Sequence, residues 1–295
     1  MSGLRFEPIS APGRAAAGHT GITAGRRSAA QAARHDGPVA TYTDEGIVLR
    51  RVNYGETDRI LTVLTLEHGK IGVIARGARK PQSRLGPRTD LFTRSRMQLA
   101  QGRGELEVLA QAEPVSQAPS ATDARRVACA ALCAELTDRV LESNHADSEI
   151  YGLVATALSE CAHRDRDPRA AVVWFARRMI DRLGYAPQLI DCASCGRRLR
   201  EEPAAFSAAG GGLLCPDCSP DDPAAIECGV RVIKVLRAAA SEDRDLWRSL
   251  RLDAPTLTTL ERVVEAELAF HLDRRLRSFD VLRAIEGRNG VRQLD

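Results

Sequence analysis

Glu45-Gly46-Ile47-Val48-Leu49-Arg50-Arg51-Val52 reads as a β-strand, and Arg59-Ile60-Leu61-Thr62-Val63-Leu64-Thr65-Leu66 reads as a second. Both runs are rich in β-branched residues, which suit a pleated, half-buried surface. Glu67-His68-Gly69-Lys70 supplies a short turn and Ile71-Gly72-Val73-Ile74-Ala75 returns, so 59–75 forms a hairpin. Working outward, Gly77, Pro81, Gly86 and Pro87 break the next stretch, which makes 77–90 a loop. Leu91 to Ala100 and Glu105 to Ala112 then form a second hairpin around Gln101-Gly102-Arg103-Gly104. Five short strands in about 70 residues, with no helix long enough for a crossover, predict a small closed barrel.

Beyond Pro114 and Pro119, which end the β region, the period changes to that of helices. Thr122 or Asp123 caps a helix whose Val127, Ala131, Leu132, Leu136 and Val140 fall on one stripe. A second helix covers 148–161. Pro168 sits in the first turn of a third, which runs to Leu183 and is stopped by Gly184 and Pro187. A Cys-bearing insert occupies 190–222. Helices resume over 226–240 and 255–276, and a short one covers 279–285. The expected fold class is therefore α+β: a disordered extension over 1–41, a five-stranded barrel of the OB type over 42–118, and an all-α domain over 119–295 interrupted by the four-Cys module.

Composition sets the outer limits. The chain has 295 residues, 44% hydrophobic and 27% charged, enough for a sizeable core and two domains with room for a small third. No run of 18 apolar residues exists, which excludes a transmembrane helix. Residues 1–41 are too polar and too Gly/Pro-punctuated to bury a core; they read as an extension or a start codon placed too early, with a faint likeness to a transit peptide. Nothing else directs export, so the expected location is the cytoplasm, at the nucleoid.

The net charge of +3 conceals its distribution. Residues 76–103 hold Arg76, Arg79, Lys80, Arg84, Arg88, Arg94, Arg96 and Arg103 against Asp90 alone, giving +7. Residues 1–43 add +3, leaving −7 on all the rest. A flexible basic loop suits a phosphate backbone, because charge attraction needs no exact register and releases counterions. With aromatics at only 4%, binding rests on charge more than on dense stacking. Tyr54 and Phe92 are the nearby rings able to stack a base, although a ring buried in the barrel explains either equally well. The plain alternative for the Arg cluster is a solvated surface loop.

Cys192-Ala-Ser-Cys195 and Cys215-Pro-Asp-Cys218 are two C-x-x-C knuckles 19 residues apart, within the spacing of zinc sites. Two thiolates per knuckle wrap one side of a tetrahedral Zn2+ ion, and the excursion lets the second knuckle close the other. Four Cys saturate the ion, so the role is structural. A redox motif would follow a strand in a βαβ unit, and disulfides need an oxidising compartment. Cys129, Cys133, Cys161 and Cys228 read as small buried apolar residues. Signatures of catalysis are missing: no phosphate-binding loop, no nucleophile elbow, no H-E-x-x-H, and six His without a shared spacing. Glu56 and Asp58 flank Thr57 in what reads as a solvated turn or cap. No enzyme activity is expected.

Glu45-Gly-Ile-Val-Leu-Arg, Tyr54-Gly-Glu-Thr-Asp-Arg-Ile-Leu-Thr, His68-Gly-Lys and Ala75-Arg-Gly-Ala-Arg-Lys together resemble the RecO family of bacterial recombination mediators. Ser83-Arg-Leu-Gly, Leu109-Ala-Gln-Ala-Glu and His271-Leu-Asp-Arg-Arg-Leu-Arg-Ser-Phe extend the resemblance over 42–285, and the four-Cys insert is similar to that of zinc-bearing members. The resemblance implies an OB fold and binding to single- and double-stranded DNA. It also implies annealing without ATP, and help in replacing single-strand-binding protein with RecA. RecR and the acidic C-terminal tail of single-strand-binding protein would be partners. By position, Arg76, Arg79, Lys80, Arg84 and Arg88 fall in the family's basic OB region. Arg262, Arg274, Arg275 and Arg277 are candidates for the tail, because an acidic tail needs cations. The competing reading is a zinc-ribbon and OB protein–protein adaptor that does not bind DNA.

Overall fold

A computed structural model describes residues 41–102, 104–116, 119, 122–272 and 275–292, with side chains up to 287. The expected 1–41 extension lies outside the described residues, apart from Thr41, which opens the first strand. Five strands follow: β1 (Thr41–Tyr54), β2 (Asp58–Thr65), β3 (Gly69–Ala75), β4 (Arg94–Ala100) and β5 (Glu107–Ser116). They close into a barrel in the order β1-β2-β3-β5-β4. All pairings are antiparallel except a two-residue parallel contact, Val73 to Glu107 and Ile74 to Val108. That closure is the OB topology.

Alternation decides what each barrel residue touches. Val48, Leu61, Val63, Val73, Met97 and Leu99 point inward and are fully buried. A bulge between Val48 and Arg50 pushes Leu49 outward. Leu49 then joins Ile47, Leu64 and Phe92 in the core of the helical body, so one wall of the barrel is sealed by helices. Each such side chain contributes about 2 kcal/mol by leaving water. At the start of β3, Gly69 has φ +71° and a Cβ there would sit 2.2 Å from the His145 carbonyl oxygen. The neighbouring Lys70 carbonyl accepts the Asn144 N–H at 3.0 Å, and this seam locks β3 to the helices.

Several strand boundaries differ from the expected ones, and three of the differences bear on the site. β4 begins at Arg94 rather than Leu91, because Phe92 takes a left-handed backbone, φ +66°. The Phe92 N–H donates to the Val48 carbonyl and the Val48 N–H to the Thr93 carbonyl; these bonds hold the kink, and the Phe92 ring enters the helical core. Phe92 is therefore no base-stacking residue. β5 runs through Pro114 to Ser116, because there it pairs with β4 alone, beside a register shift, and such an edge position tolerates proline. β1 starts four residues earlier than expected and pairs with β4 from Thr41.

The helical body comprises α1 (Ala124–Val140), α2 (Ser148–Ala162), α3 (Pro168–Arg182), α4 (Val230–Ala240), α5 (Arg244–Ser249), α6 (Ala254–Leu272) and α7 (Arg277–Arg292). Asp123, Asp147 and Asp167 cap the first three by accepting N–H bonds of the opening turns. α1 is not the one-sided helix its stripe implied. It buries Ala128, Cys129, Ala130, Cys133 and Ala134 as well as Leu132 and Leu136, because α2, α3, α7 and β1 surround it. The insert is a three-stranded antiparallel sheet of β6 (Ala204–Ser207), β7 (Gly212–Leu214) and β8 (Ile226–Cys228), in the order β7-β6-β8. Residues 226–228 thus pair with β6 instead of opening α4, which starts at Val230. α5 was not expected, and α7 is longer than the predicted 279–285.

Two charge networks lie inside the body. Arg177 is 1% exposed and donates to Glu267 at 2.6 Å and to Asp181. Arg169, also buried, joins α3 to α7 through Glu286 at 3.2 Å and caps back onto Asp167 at 2.9 Å. Buried cations of this kind persist only when paired. Among the described residues no helix is long and apolar enough to cross a membrane.

Candidate nucleic-acid interface and metal centre

The loop after β3 is anchored rather than free. Gly77 N–H donates to Asp58 Oδ1 at 2.8 Å, and the Thr57 hydroxyl donates to the same oxygen at 3.0 Å. These bonds, with Arg76 and Lys80 nearby, hold the Asp58 carboxyl below its ordinary pKa, the Gly77 bond being the largest cause. Arg79 N–H donates to the Thr57 carbonyl at 2.8 Å, and its guanidinium reaches the Gly55 carbonyl at 3.3 Å. Farther along, Arg59 Nη1 donates to the Gly86 carbonyl and the Thr89 hydroxyl, each at 2.8 Å, and Arg51 pairs with Asp90. The basic loop therefore lies against the β1–β2 turn.

Arg76, Arg79, Lys80 and Arg84 remain exposed, and Arg88 is half-buried in a short 3-10 turn over Pro87–Thr89. Beside them an apolar strip crosses the outer barrel face. Register places Val52, Ile60, Ile74 and Val108 in one row, with Tyr54 at its end. Tyr54 is 55% and Val52 53% exposed, two large apolar side chains left open to solvent on the same face. The sequence carried a signal for this strip that went unread: β2 is apolar on both faces, and only the Leu64 end of its outer face is covered by helices.

Arg94 and Arg96 stand apart from that patch, on β4, across β1 from the β1–β2 turn. Arg94 pairs with Glu45, which also accepts the Tyr151 hydroxyl at 2.9 Å, so it staples the barrel to α2. Arg96 is exposed, with Glu45 and Glu113 as its cross-strand neighbours. Arg103 lies outside the described residues.

The four expected metal ligands converge. The Sγ atoms of Cys192, Cys195, Cys215 and Cys218 all lie within 4.8 Å of one another, and those of Cys195 and Cys215 are 3.9 Å apart. A tetrahedral ion with sulfur at about 2.3 Å needs sulfurs about 3.8 Å apart, so the donor set fits. Backbone turns shape both knuckles: Gly196 N–H donates to Cys192 O at 2.9 Å, and Cys218 N–H to Cys215 O at 3.0 Å. Burial resists ionisation of Cys192, yet N–H groups of Cys195, Cys215 and Ser194 bring its thiol down to about 6. Arg197 Nη2, 3.1 Å from Cys215 Sγ, lowers that thiol as well. Cys218, crowded first by Cys215, is pushed up to about 12. Four adjacent thiolates repel, and a dication relieves them all. Arg197, which also pairs with Asp217, was not singled out from sequence; a cation two residues after a knuckle is a weak signal.

The other four Cys are buried in the core as expected. Burial first, for Cys129, and the Cys133 bond first, for Cys161, push these thiols up.

The profile of Recombination protein O N terminal matches residues 39–118, and that of Recombination protein O C terminal matches 121–280. The chain belongs to the RecO family. It is 36% identical to the DNA repair protein RecO of Roseiflexus sp. (strain RS-1) over 245 residues, 82% of this chain and 84% of the relative. It is 31% identical to that of Symbiobacterium thermophilum over 247 residues, 83% and 97% of the two chains. The RecO of Desulforudis audaxviator shares 36% over 243 residues, 82% and 96%.

For a RecO family chain the cations expected to hold a protein tail matter too. Arg262 is exposed on α6. Arg275 is held by Glu265 at 3.1 Å. The Arg277 backbone N–H donates to Glu135 at 3.1 Å. Arg274 lies outside the described residues. A groove of about 720 Å³ lies elsewhere, between α4 and α5, with Val235, Ala238, Leu246 and Leu250 in its floor and Lys234 and Arg251 on its rim.

Proposed function

We propose that this RecO family chain is a recombination mediator that binds single- and double-stranded DNA on the outer face of β1–β3 and the anchored basic loop. One observation carries the reading: Arg76, Arg79, Lys80 and Arg84 stand exposed beside Tyr54 and an uncovered apolar strip, on a loop held by the barrel. Arg88 borders this patch; Arg94 and Arg96, which stand apart from it on β4, and Arg103 are further candidates. Cations neutralise phosphates, and the ring offers a sequence-tolerant stacking platform. Two strands held by their backbones repel each other less, so complementary bases pair without a nucleotide cofactor. The chain is accordingly not an enzyme, and it acts in the cytoplasm at the nucleoid.

Zn2+ held by Cys192, Cys195, Cys215 and Cys218 would supply folding energy to the insert. RecR and the acidic tail of single-strand-binding protein are its partners, and RecA follows onto the cleared strand. The α4–α5 groove suits a tail with apolar and acidic residues better than Arg275, whose charge Glu265 already balances. The test is annealing of complementary strands coated with single-strand-binding protein, without ATP, with and without residues 1–41. Acceleration by either form supports the reading, and no acceleration by either contradicts it.

A further inference from the structure

We propose that the Gly55-Glu56-Thr57-Asp58-Arg59 turn is a clasp that presets the basic loop for DNA, with Asp58 as its positioning residue. The inference rests on the DNA-binding reading above and assigns a task to residues that reading leaves idle. Four of the five contribute. The Gly55 and Thr57 carbonyls accept from Arg79, Asp58 Oδ1 accepts from Gly77 N–H, and Arg59 reaches across to Gly86 and Thr89. The bonds are spaced along the loop: the Asp58 and Thr57 bonds hold its first turn, and Arg59 holds its far end. Arg76, just before the first anchor, and Lys80 and Arg84, between the anchors, stay exposed.

Asp58 is thus a carboxylate placed inside a cation cluster where it weakens the field the cluster presents to phosphate. Arg59 has the complementary oddity. It is a cation in the basic region, yet its side chain is only 16% exposed and is spent on the loop. Charge alone explains neither placement. Preorganisation explains both, because a loop already ordered loses less conformational entropy when it binds.

The two accounts predict opposite signs, which makes the test sharp. If Asp58 only contributes charge, Asp58→Ala should tighten DNA binding. The clasp predicts that Asp58→Ala weakens single-strand affinity about fivefold. Asp58→Asn, which keeps an acceptor oxygen and drops the charge, should bind at least as well as the unaltered chain. Both variants should remain fully folded at the assay temperature, read by thermal melting of the full chain. Brief trypsin treatment, mapped by mass spectrometry, should cut after Arg76, Arg79, Lys80 and Arg84 faster in Asp58→Ala than in Asp58→Asn or the unaltered chain. Asp58→Ala binding as tightly as the unaltered chain, or a loop cut no faster, overturns the clasp. An unaltered chain that binds no DNA overturns the functional reading instead, and the trypsin comparison still decides the clasp.

Discussion

Tyr54 separates stacking from charge at the scale of one residue. Its ring is exposed at the end of the apolar strip, next to the loop cations. Tyr54→Ala should lower single-strand affinity about fivefold to tenfold, at the low end of the 1–3 kcal/mol measured per stacked base. Tyr54→Phe should restore it, and duplex affinity should hardly move; fluorescence anisotropy checks all three. Inside the body, Glu261 is a second informative residue. Burial pushes its carboxyl up to about 7, against the pull of Arg169. The raised value means that this group's contribution to stability is full below its unfolded value of about 4.3 and is lost as pH rises through 7. Glu261→Gln should therefore stabilise the fold by about 1–2 kcal/mol at pH 8 and leave it unchanged at pH 4, read by calorimetry.

Elements differ in how much of them the sequence exposed. Gly69 is the point where the β2–β3 hairpin meets the α1–α2 connection. Gly69→Ala adds a Cβ 2.2 Å from the His145 oxygen at a left-handed φ, so it should cost about 3 kcal/mol, measured by urea unfolding. The hairpin itself was legible because its signals are local: β-branched runs, a Gly turn, alternating faces. The α3 helix was legible for the same reason, through Pro168 in its first turn and Gly184 and Pro187 at its end. Features set by distant neighbours were not. Nothing local to Leu91-Phe92 announces a left-handed kink, since the two backbone bonds that hold it come from Val48. Ile226–Cys228 is too short to show a period and becomes a strand only by pairing with β6. The Cys ligands were legible by spacing; the anchoring of the basic loop was not, because Asp58 reads as a turn or cap residue and Arg59 as the start of a strand.

On the scale of the whole molecule, the barrel and the helical body belong to one compact unit and share the core built on Ile47, Leu49, Leu64 and Phe92. The four-Cys module packs into that same core through Cys192, Phe206 and Leu213. If the four Cys hold zinc as proposed, a chelator should release one zinc per chain, expose four of the eight thiols to alkylation, and lower the melting temperature. The barrel secondary structure should survive, because none of its strands is held by the insert.

DNA binding by the anchored loop is the central claim, and the salt dependence of single-strand affinity tests it most directly. We compare the unaltered chain with the combined Arg79→Ala, Lys80→Ala and Arg84→Ala variant across a salt series. The account predicts weaker binding and a log–log slope shallower by about 2, roughly 0.7 for each lost phosphate contact. An identical slope in the two proteins would contradict it.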